Sequence, residues 1–430
     1  MNMKNIFIGC SIRIVCKNIW KEVFHDFLDV KECAVEIDEK GLMKGRINND
    51  CKKSVNVSRR LSTQLLELVC SALWDRMPEQ EMFHSCNWHS LYNMAKVQTV
   101  VGLVADAISK LPCQYHPPKD VRMLFVGNVQ QIERINVLHR AVAKKVITLL
   151  KENNIDTAFM KGITAGVRYP KPFLRQCGDI DFVVAKKDFQ DTLKLLEQVG
   201  RVDSVLEHEH HGMAFVDGVV VEPHYKVHNY QFPKNDKAMQ KMFYSIFPHA
   251  LEFIEIDGEP VPVYPKTFES VFLVSHMVNH VYEEGLGMRQ VIDYAMFLYK
   301  EYSKIDKKIH QEYLEQMHMD RAHRIFVRIC EKYFNLSEDI CHYVYTDKEK
   351  TFADLLMEDI LRVGNFGRGE YIFHRNGKWG DLQNYWWVAR RSFHFAYLCP
   401  HEAYMWPISK FLRYMRKKNV SFRENRRMKL

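Results

Sequence analysis

The segment at residues 178–184 constrains the fold most strongly, because it places acidic residues at alternate positions in an apolar run. Alternate side chains of a β-strand lie on the same face. We therefore predict a strand at Ile180–Val184, with Asp179 and Asp181 on one face and Ile180 and Phe182 in the core. Two carboxylates on one face suit hard cations such as Mg²⁺, which prefer oxygen ligands.

Hydrophobic periodicity divides the rest of the chain into helical, mixed and again helical parts. Helical spacing covers 61–73, 88–111 and 129–153, and it returns after Pro265. Short apolar runs at 156–160, 213–216 and 219–222 predict strands, and Asp217-Gly218 favours a hairpin turn between the last two. A helix is expected at 188–199, and a further strand at 6–15.

We therefore predict an α+β fold, with a mixed-sheet core and flanking helical segments before and after it. Four regions are expected along the chain: a mostly helical region at 1–120 with an atypical first sixty residues, the α/β core at 121–265, a helical domain at 266–406 and a basic tail at 407–430.

A third acidic residue, Glu222, ends the second strand of the expected hairpin. If this strand lies beside the Asp-Ile-Asp strand, three carboxylates converge. Such a site can hold the two metal ions used in phosphoryl or nucleotidyl transfer. The alternative is a pair of solvated acids at a strand edge. The apolar strand, the preceding Lys161-Gly162 turn and the hairpin ending in Glu222 favour the metal site.

The same segment resembles a known family. Lys161-Gly162, Tyr169-Pro170, Arg175 and Gly178-Asp179-Ile180-Asp181 are similar to the signature of a bacterial group of uncharacterised nucleotidyltransferases in the polymerase-β-like superfamily. The resemblance extends over roughly 88–406. Its weaker parts, in chain order, are Glu222-Pro223-His224, His276-x-x-x-His280, Gly287-Met288-Arg289 with Asp293, and Gly364-Asn365-Phe366-Gly367.

The resemblance implies a nucleotidyltransferase-type core and a nucleoside triphosphate donor, with Asp179, Asp181 and Glu222 holding Mg²⁺. The superfamily's phosphate-cradling Gly-Ser turn is replaced here by Lys161-Gly162-Ile163. Pro223 cannot donate a strand hydrogen bond, so Glu222 is expected at a strand end or edge.

Further residues are candidates for ligand contacts, each with a structural alternative. Lys161, Gly162, Arg175 and Gly178 are expected to bind nucleotide or phosphate, although Arg175 could instead pair with an aspartate. His224, His276, His280 and Arg289 are expected to contact substrate, and hydrogen bonding between helices is the alternative for the histidine pair. The glycine-rich segment at 364–369 lacks the ending of a P-loop, which favours a plain loop.

Composition and charge bear on the cellular location of the protein and on its partners. The net charge of +8 matches that of residues 407–430 alone, which hold nine basic residues and one acid. This tail could touch an anionic partner or be a solvated terminus. The eleven cysteines form no CxxC pair, and free thiols in this number suit the cytoplasm. No run approaches the ~20 apolar residues of a transmembrane helix.

Three functions remain open at this point. The first is transfer of a nucleoside monophosphate to an unidentified hydroxyl on a protein, small molecule or nucleic acid. The second is phosphorylcholine-transferase-like chemistry on cell-surface sugars. The third is a catalytically inert module that keeps the fold and binds a partner.

Overall fold

The computed structural model describes residues 49–203, 211–369 and 378–427, together with two short strands, Glu36–Ile37 (β1) and Met43–Lys44 (β2), that pair in antiparallel fashion. Chain packing divides the molecule into a unit at 1–60 and a unit at 61–430. The predicted boundaries at 120, 265 and 406 all lie inside the second unit and stay predictions. The strand expected at 6–15 lies outside the described residues.

Fourteen helices are described. In chain order they are α1 (Asn49–Leu73), α2 (Trp88–Val97), α3 (Val101–Ser109), α4 (Lys119–Glu152), α5 (Gly162–Gly166), α6 (Phe189–Val199), α7 (Pro233–Ile246), α8 (Lys266–Tyr282), α9 (Met288–Glu301), α10 (Lys307–Gln316), α11 (Asp320–Phe334), α12 (Asp347–Val363), α13 (Lys378–His394) and α14 (Pro400–Arg427). Within the described ranges, no helix is both long and apolar enough to cross a membrane.

The remaining strands form one seven-stranded mixed sheet in the order β5-β6-β7-β4-β3-β9-β8. They are β3 (Thr157–Met160), β4 (Ile180–Val184), β5 (Arg201–Val202), β6 (Ala214–Val216), β7 (Val219–His224), β8 (Glu252–Ile256) and β9 (Glu259–Val263). The central strand β4 runs parallel to β7 and antiparallel to β3. The α+β class with a mixed-sheet core, predicted from the sequence, is confirmed.

The two faces of the sheet bury different cores. Ile180 and Phe182 pack with the C-terminal half of α4 and with α6 on one face. Val183 and Met160 belong to the larger core, which the helices on the other side build. Since alternate residues face opposite ways, Asp181 lies on the face of Val183, toward the helical core. The prediction that Ile180 and Phe182 point into the core is therefore confirmed.

Two helix predictions are corrected. The helix expected at 88–111 is two helices, α2 and α3, because Thr99 between them takes a left-handed φ of 56°. The helix expected at 129–153 begins at Lys119, directly after Pro118. Proline fits the start of a helix, since the first backbone N–H groups have no partner within the helix. The predicted basic tail continues α14 without a break at Pro407.

The expected position of Glu222 is also corrected. Glu222 lies inside β7, and β7 is an interior strand between β6 and β4. Pro223 is tolerated there because its backbone faces the β6 side, where the regular ladder ends at Ala214 and Val221. Beyond that point the pairing continues as an isolated bridge between His211 and His224 and as the bond from Gly212 N to the Pro223 carbonyl. A residue's N–H and C=O point to the same neighbour in an antiparallel pair, so the missing donor faces this irregular end of the ladder.

Candidate active site

The register of β4 and β7 builds the centre of the site. Asp181 lies opposite Glu222, and Val183 lies opposite His224. Opposite residues of adjacent strands project from the same face, so the Asp181, Glu222 and His224 side chains all point toward the helical core. Asp181 is buried, with 4% of its surface exposed, whereas Glu222 is half-buried.

These three side chains each offer one ligand atom, and the three atoms lie within 4.8 Å of one another. His224 Nε2 is 3.0 Å from Asp181 Oδ1 and 3.8 Å from a Glu222 oxygen. Burial lowers the pKa of His224 well below its usual value, and Lys161 acts in the same direction. A neutral imidazole beside two carboxylates is a donor set that can hold a divalent cation.

Asp179 lies just before β4 and is not part of this group of three. The nearby charge of Asp181 raises the pKa of Asp179, and burial adds to the effect. Lys161 and Arg289 oppose it. His224 joins Asp181 and Glu222 in the compact group, while Asp179 stands close enough to interact by charge. The set of Asp179, Asp181 and Glu222 as metal ligands stays a prediction.

Lys161 connects the sheet to the carboxylates. It follows β3 with a left-handed φ of 55°, and its Nζ lies 3.4 Å from Asp181 Oδ1. Gly162 is also left-handed, and a Cβ on it would lie 2.9 Å from the Asp179 carbonyl oxygen. Only glycine fits so near the backbone there. The turn that the sequence predicted to bind phosphate therefore lies directly against the acidic strand.

Arg175 does not face this centre. Its guanidinium donates to both oxygens of Asp293, at 2.7 and 2.6 Å, and both side chains are buried. Tyr169 donates to the same carboxylate. The structure shows the pair with an aspartate that the sequence offered as the alternative, and the phosphate contact by Arg175 stays a prediction. Gly178 faces open space, since a Cβ added there would meet nothing within 4 Å.

Arg289 is the arginine that remains available near the acids. Its Nη1 donates to the Gln176 carbonyl at 2.5 Å, two residues before Gly178. Within the described part of the chain, Arg289 forms no ion pair with a carboxylate, and its buried Nε has no hydrogen-bond partner. Its charge acts on Asp179. The structure therefore leaves this cation with unused donor capacity beside the predicted site.

Helix α8 covers the same face of the sheet with aromatic rings. The His276 ring stacks on Phe272, and His276 Nε2 lies 3.0 Å from His280 Nε2. Lys161 Nζ lies 5.8 Å from the centre of the Phe272 ring. Burial lowers the pKa of His280 to about 3, and Lys161 and Arg289 act in the same direction. The predicted histidine pair is a neutral, mutually hydrogen-bonded unit beside Lys161.

Two residues that sequence reasoning missed position the loop before Asp179. Asn136 on α4 donates to the carbonyls of Phe173 and Arg175, both at 2.9 Å. His139, one turn further along α4, lies with Nε2 3.3 Å from the Gly178 carbonyl. Both polar side chains interrupt the buried stripe of a long amphipathic helix. That interruption is the signal that could have revealed them.

The family follows from a sequence comparison made independently of this geometry. A family model described as uncharacterised nucleotidyltransferase matches residues 84–335, which is more than half of the chain. The chain belongs to this family. Asp181 and Glu222 of this nucleotidyltransferase both lie within the matched region.

Solved structures give weaker likenesses to this nucleotidyltransferase. The solution structure of the antibiotic-resistance factor ANT(2'')-Ia is 12% identical, covering 42% of this chain and 94% of that one, with a TM-score of 0.32. Its crystal structure in complex with adenylyl-2''-tobramycin is 13% identical, covering 42% of this chain and 98% of that one, with a TM-score of 0.31. The crystal structure of an antigenic nucleotidyltransferase-like protein from Paracoccidioides brasiliensis is 14% identical, covering 48% of this chain and 96% of that one, with a TM-score of 0.28. No curated protein matches the chain.

Proposed function

We propose that this nucleotidyltransferase transfers a nucleoside monophosphate from a nucleoside triphosphate to an acceptor hydroxyl, with Mg²⁺ as the metal. The observation that carries the proposal is the register of β4 and β7, which sets the Asp181 and Glu222 carboxylates side by side. Membership of a nucleotidyltransferase family gives this arrangement its chemical meaning.

Asp181, Glu222 and Asp179 are the proposed oxygen ligands, and His224 is a fourth candidate donor next to them. The fit rests on the three grouped ligand atoms, two of which are carboxylate oxygens of the kind that Mg²⁺ prefers. Two divalent ions bound there would supply positive charge opposite the triphosphate oxygens.

Two cationic side chains are proposed to bind the triphosphate. Lys161 already lies against Asp181, so its ammonium can neutralise a phosphate oxygen placed over the carboxylates. Arg289 has donor capacity left, and its planar guanidinium suits two oxygens of one phosphate. Both cations are pre-positioned by backbone packing, which favours charge stabilisation in the transition state.

One carboxylate oxygen of Asp179 is proposed as a metal ligand, and the other is proposed to accept the proton of the attacking hydroxyl. The hydroxyl oxygen forms a bond to the α-phosphorus while the bond from that phosphorus to the bridging oxygen of pyrophosphate breaks. Helix α8 covers the sheet face and limits the access of water.

The cellular compartment and the role of the basic tail belong to this proposal as well. We place the enzyme in the cytoplasm because the described cysteines are free thiols. The basic end of α14 is proposed to contact an anionic partner. The family match favours nucleotidyl transfer over phosphorylcholine-type chemistry, and the grouped ligands favour a working site over an inert module.

The proposal is tested by calorimetric titration with ATP, GTP, CTP and UTP, each with and without Mg²⁺. We expect Mg²⁺-dependent binding of at least one nucleotide to the wild type, and its loss in Asp181→Asn. The matched control is Asp191→Asn, which removes an exposed carboxylate on α6 and should bind as the wild type does. Equal binding by wild type and Asp181→Asn would overturn the proposal.

A further inference from the structure

We infer that Phe366 is a recognition residue whose ring stacks on the base of the bound nucleotide. The inference deepens the proposed function and rests on it. Phe366 lies in a short 3₁₀ turn, Asn365–Gly367, beyond the region that the family model matches. What marks this residue is the combination of an unfavourable backbone, a rigid setting and a ring that remains exposed.

The backbone of Phe366 is held where phenylalanine is disfavoured. Its φ and ψ are 55° and 36°, in the left-handed region, and both Gly364 and Gly367 have φ of 70°. Left-handed backbone is strained for a bulky residue, whereas glycine adopts it freely. Glycine would therefore serve the turn better. A phenylalanine at this position needs a reason outside the turn's own geometry.

Close packing fixes the turn. A Cβ on Gly287 would lie 2.7 Å from the Asn365 Cβ, and one on Gly364 would lie 2.2 Å from a Val97 methyl carbon. Gly285 is equally confined, because a Cβ there would lie 2.5 Å from a Val363 methyl carbon. Gly287 caps α9, the helix that carries Arg289. The turn and the cation beside Asp179 are therefore held by the same contact.

Phe272, His276 and His280 form an aromatic wall that begins beside Lys161, and the Phe366 ring extends it. It lies 5.2 Å from the His280 ring, with 39% of its residue surface exposed. His280 bonds to His276, which stacks on Phe272, and the Phe272 ring lies 5.8 Å from the Lys161 ammonium. Cationic and metal-binding groups thus stand at one end of the wall, and an exposed apolar ring stands at the other.

This polarity matches a nucleoside triphosphate. Its phosphates require the charged end, and its flat base offers a π-face to an aromatic ring at the other end. Stacking tolerates every base, because each base has a π-face. Phe366 is therefore assigned to affinity for nucleotides in general, and hydrogen bonding to base edges falls to other groups.

The test separates base recognition from phosphate recognition and from folding. Affinities for the four nucleoside triphosphates and for inorganic tripolyphosphate, all with Mg²⁺, are measured by calorimetry on the wild type, Phe366→Gly, Phe366→Leu and Phe366→Tyr. We expect Phe366→Gly and Phe366→Leu to bind nucleotide roughly tenfold more weakly and to bind tripolyphosphate as the wild type does. Phe366→Tyr, which keeps the ring, should retain nucleotide affinity.

Melting temperature shows whether each variant is folded under the conditions of the titration. Phe366→Gly relieves the left-handed backbone but loses the buried part of the ring, so it should remain folded at 25 °C while binding nucleotide less well. Phe253→Ala, which removes an exposed ring from β8, is the control and should leave both affinities unchanged.

Two results would overturn the inference alone: wild-type nucleotide affinity in Phe366→Gly, or equal weakening of nucleotide and tripolyphosphate. A wild type that binds neither nucleotide nor tripolyphosphate would overturn the proposed function, and the inference with it.

Discussion

Asp181 and Glu222 lie directly opposite each other on adjacent parallel strands. The two carboxylates therefore share a face through backbone pairing and not through a flexible loop. A one-residue slip of β7 would turn Glu222 to the opposite face, against the apolar cluster that holds Ile180 and Phe182. Both the fold and the proposed chemistry thus depend on this one register.

Removing the Glu222 charge should weaken metal binding. In Glu222→Gln the affinity for Mn²⁺, used as a spectroscopic substitute for Mg²⁺, should fall at least about tenfold, because a ligand charge is lost beside Asp181. Titration followed by electron paramagnetic resonance measures this affinity. Glu197→Gln, at an exposed position on α6, should match the wild type. Unchanged Mn²⁺ affinity in Glu222→Gln would remove Glu222 from the ligand set.

Breaking the buried pair of Arg175 and Asp293 should cost stability. Arg175→Met or Asp293→Asn alone should lower the free energy of unfolding by about 3–5 kcal/mol, because each leaves a buried group without its charged partner. The double variant should lose less than the sum, since no unpaired charge remains and asparagine still accepts from Tyr169. Urea denaturation measures all three.

The exposed pair of Arg201 and Asp203 is the comparison for that prediction, and Arg201→Met should cost no more than about 1 kcal/mol. Nucleotide affinity of the folded double variant should remain within a few-fold of the wild type. A much larger loss of nucleotide affinity would instead support the predicted contact between Arg175 and phosphate.

Gly178→Ala should separate folding from substrate access. The added methyl meets no atom within 4 Å, so the free energy of unfolding should change by no more than about 0.5 kcal/mol. If substrate fills the space before Asp179, KM should rise. Gly162→Ala is the contrast: its Cβ would approach the Asp179 carbonyl to 2.9 Å, and stability itself should fall. Unchanged KM in Gly178→Ala would show that substrate does not occupy this space.

Glu402 should make stability depend on pH. It accepts hydrogen bonds from Gln231 and Asn235, yet burial dominates and raises its pKa from 4.5 to about 7. The folded state then binds a proton more tightly than the unfolded state. The contribution of Glu402 to the free energy of unfolding is fully present below pH 4.5, and it falls by about 3 kcal/mol as the pH rises to 7.

Urea denaturation at several pH values tests this linkage. Glu402→Gln cannot lose a proton, so this part of the pH dependence should disappear. The exposed Glu255→Gln should keep the wild-type profile. An unchanged slope in Glu402→Gln would contradict the assignment.

Local patterns were enough to predict four strands of the described sheet, β3, β4, β6 and β7, whereas β5, β8 and β9 were not predicted. The strand at Ile180–Val184 appears with the predicted bounds, and the hairpin turns at Asp217-Gly218, where both residues take positive φ. These elements were readable because alternation and turn chemistry act within a few residues. The pairing of β7 with β4 was only a condition in the sequence argument, and the structure supplies it.

Distant contacts decided what the sequence could not. Arg175 was predicted to face phosphate because nothing near it revealed Asp293, which lies 118 positions away. His224 was assigned to substrate, although its spacing from Glu222 already placed both on one face. Phe366 was read as part of a plain loop, because backbone strain and the contact with Gly287 arise only in three dimensions.

Helix α4 belongs to both cores. Its first half contributes Val121, Phe125 and Ile132 to the helical core, and its second half contributes Val142 and Val146 to the sheet cluster. A fragment holding only the sheet would carry the first half of this helix with its apolar side unprotected. The strands of the proposed site therefore cannot be exchanged between proteins as a separate module, and recombination that keeps their fold must transfer the helical partner along with them.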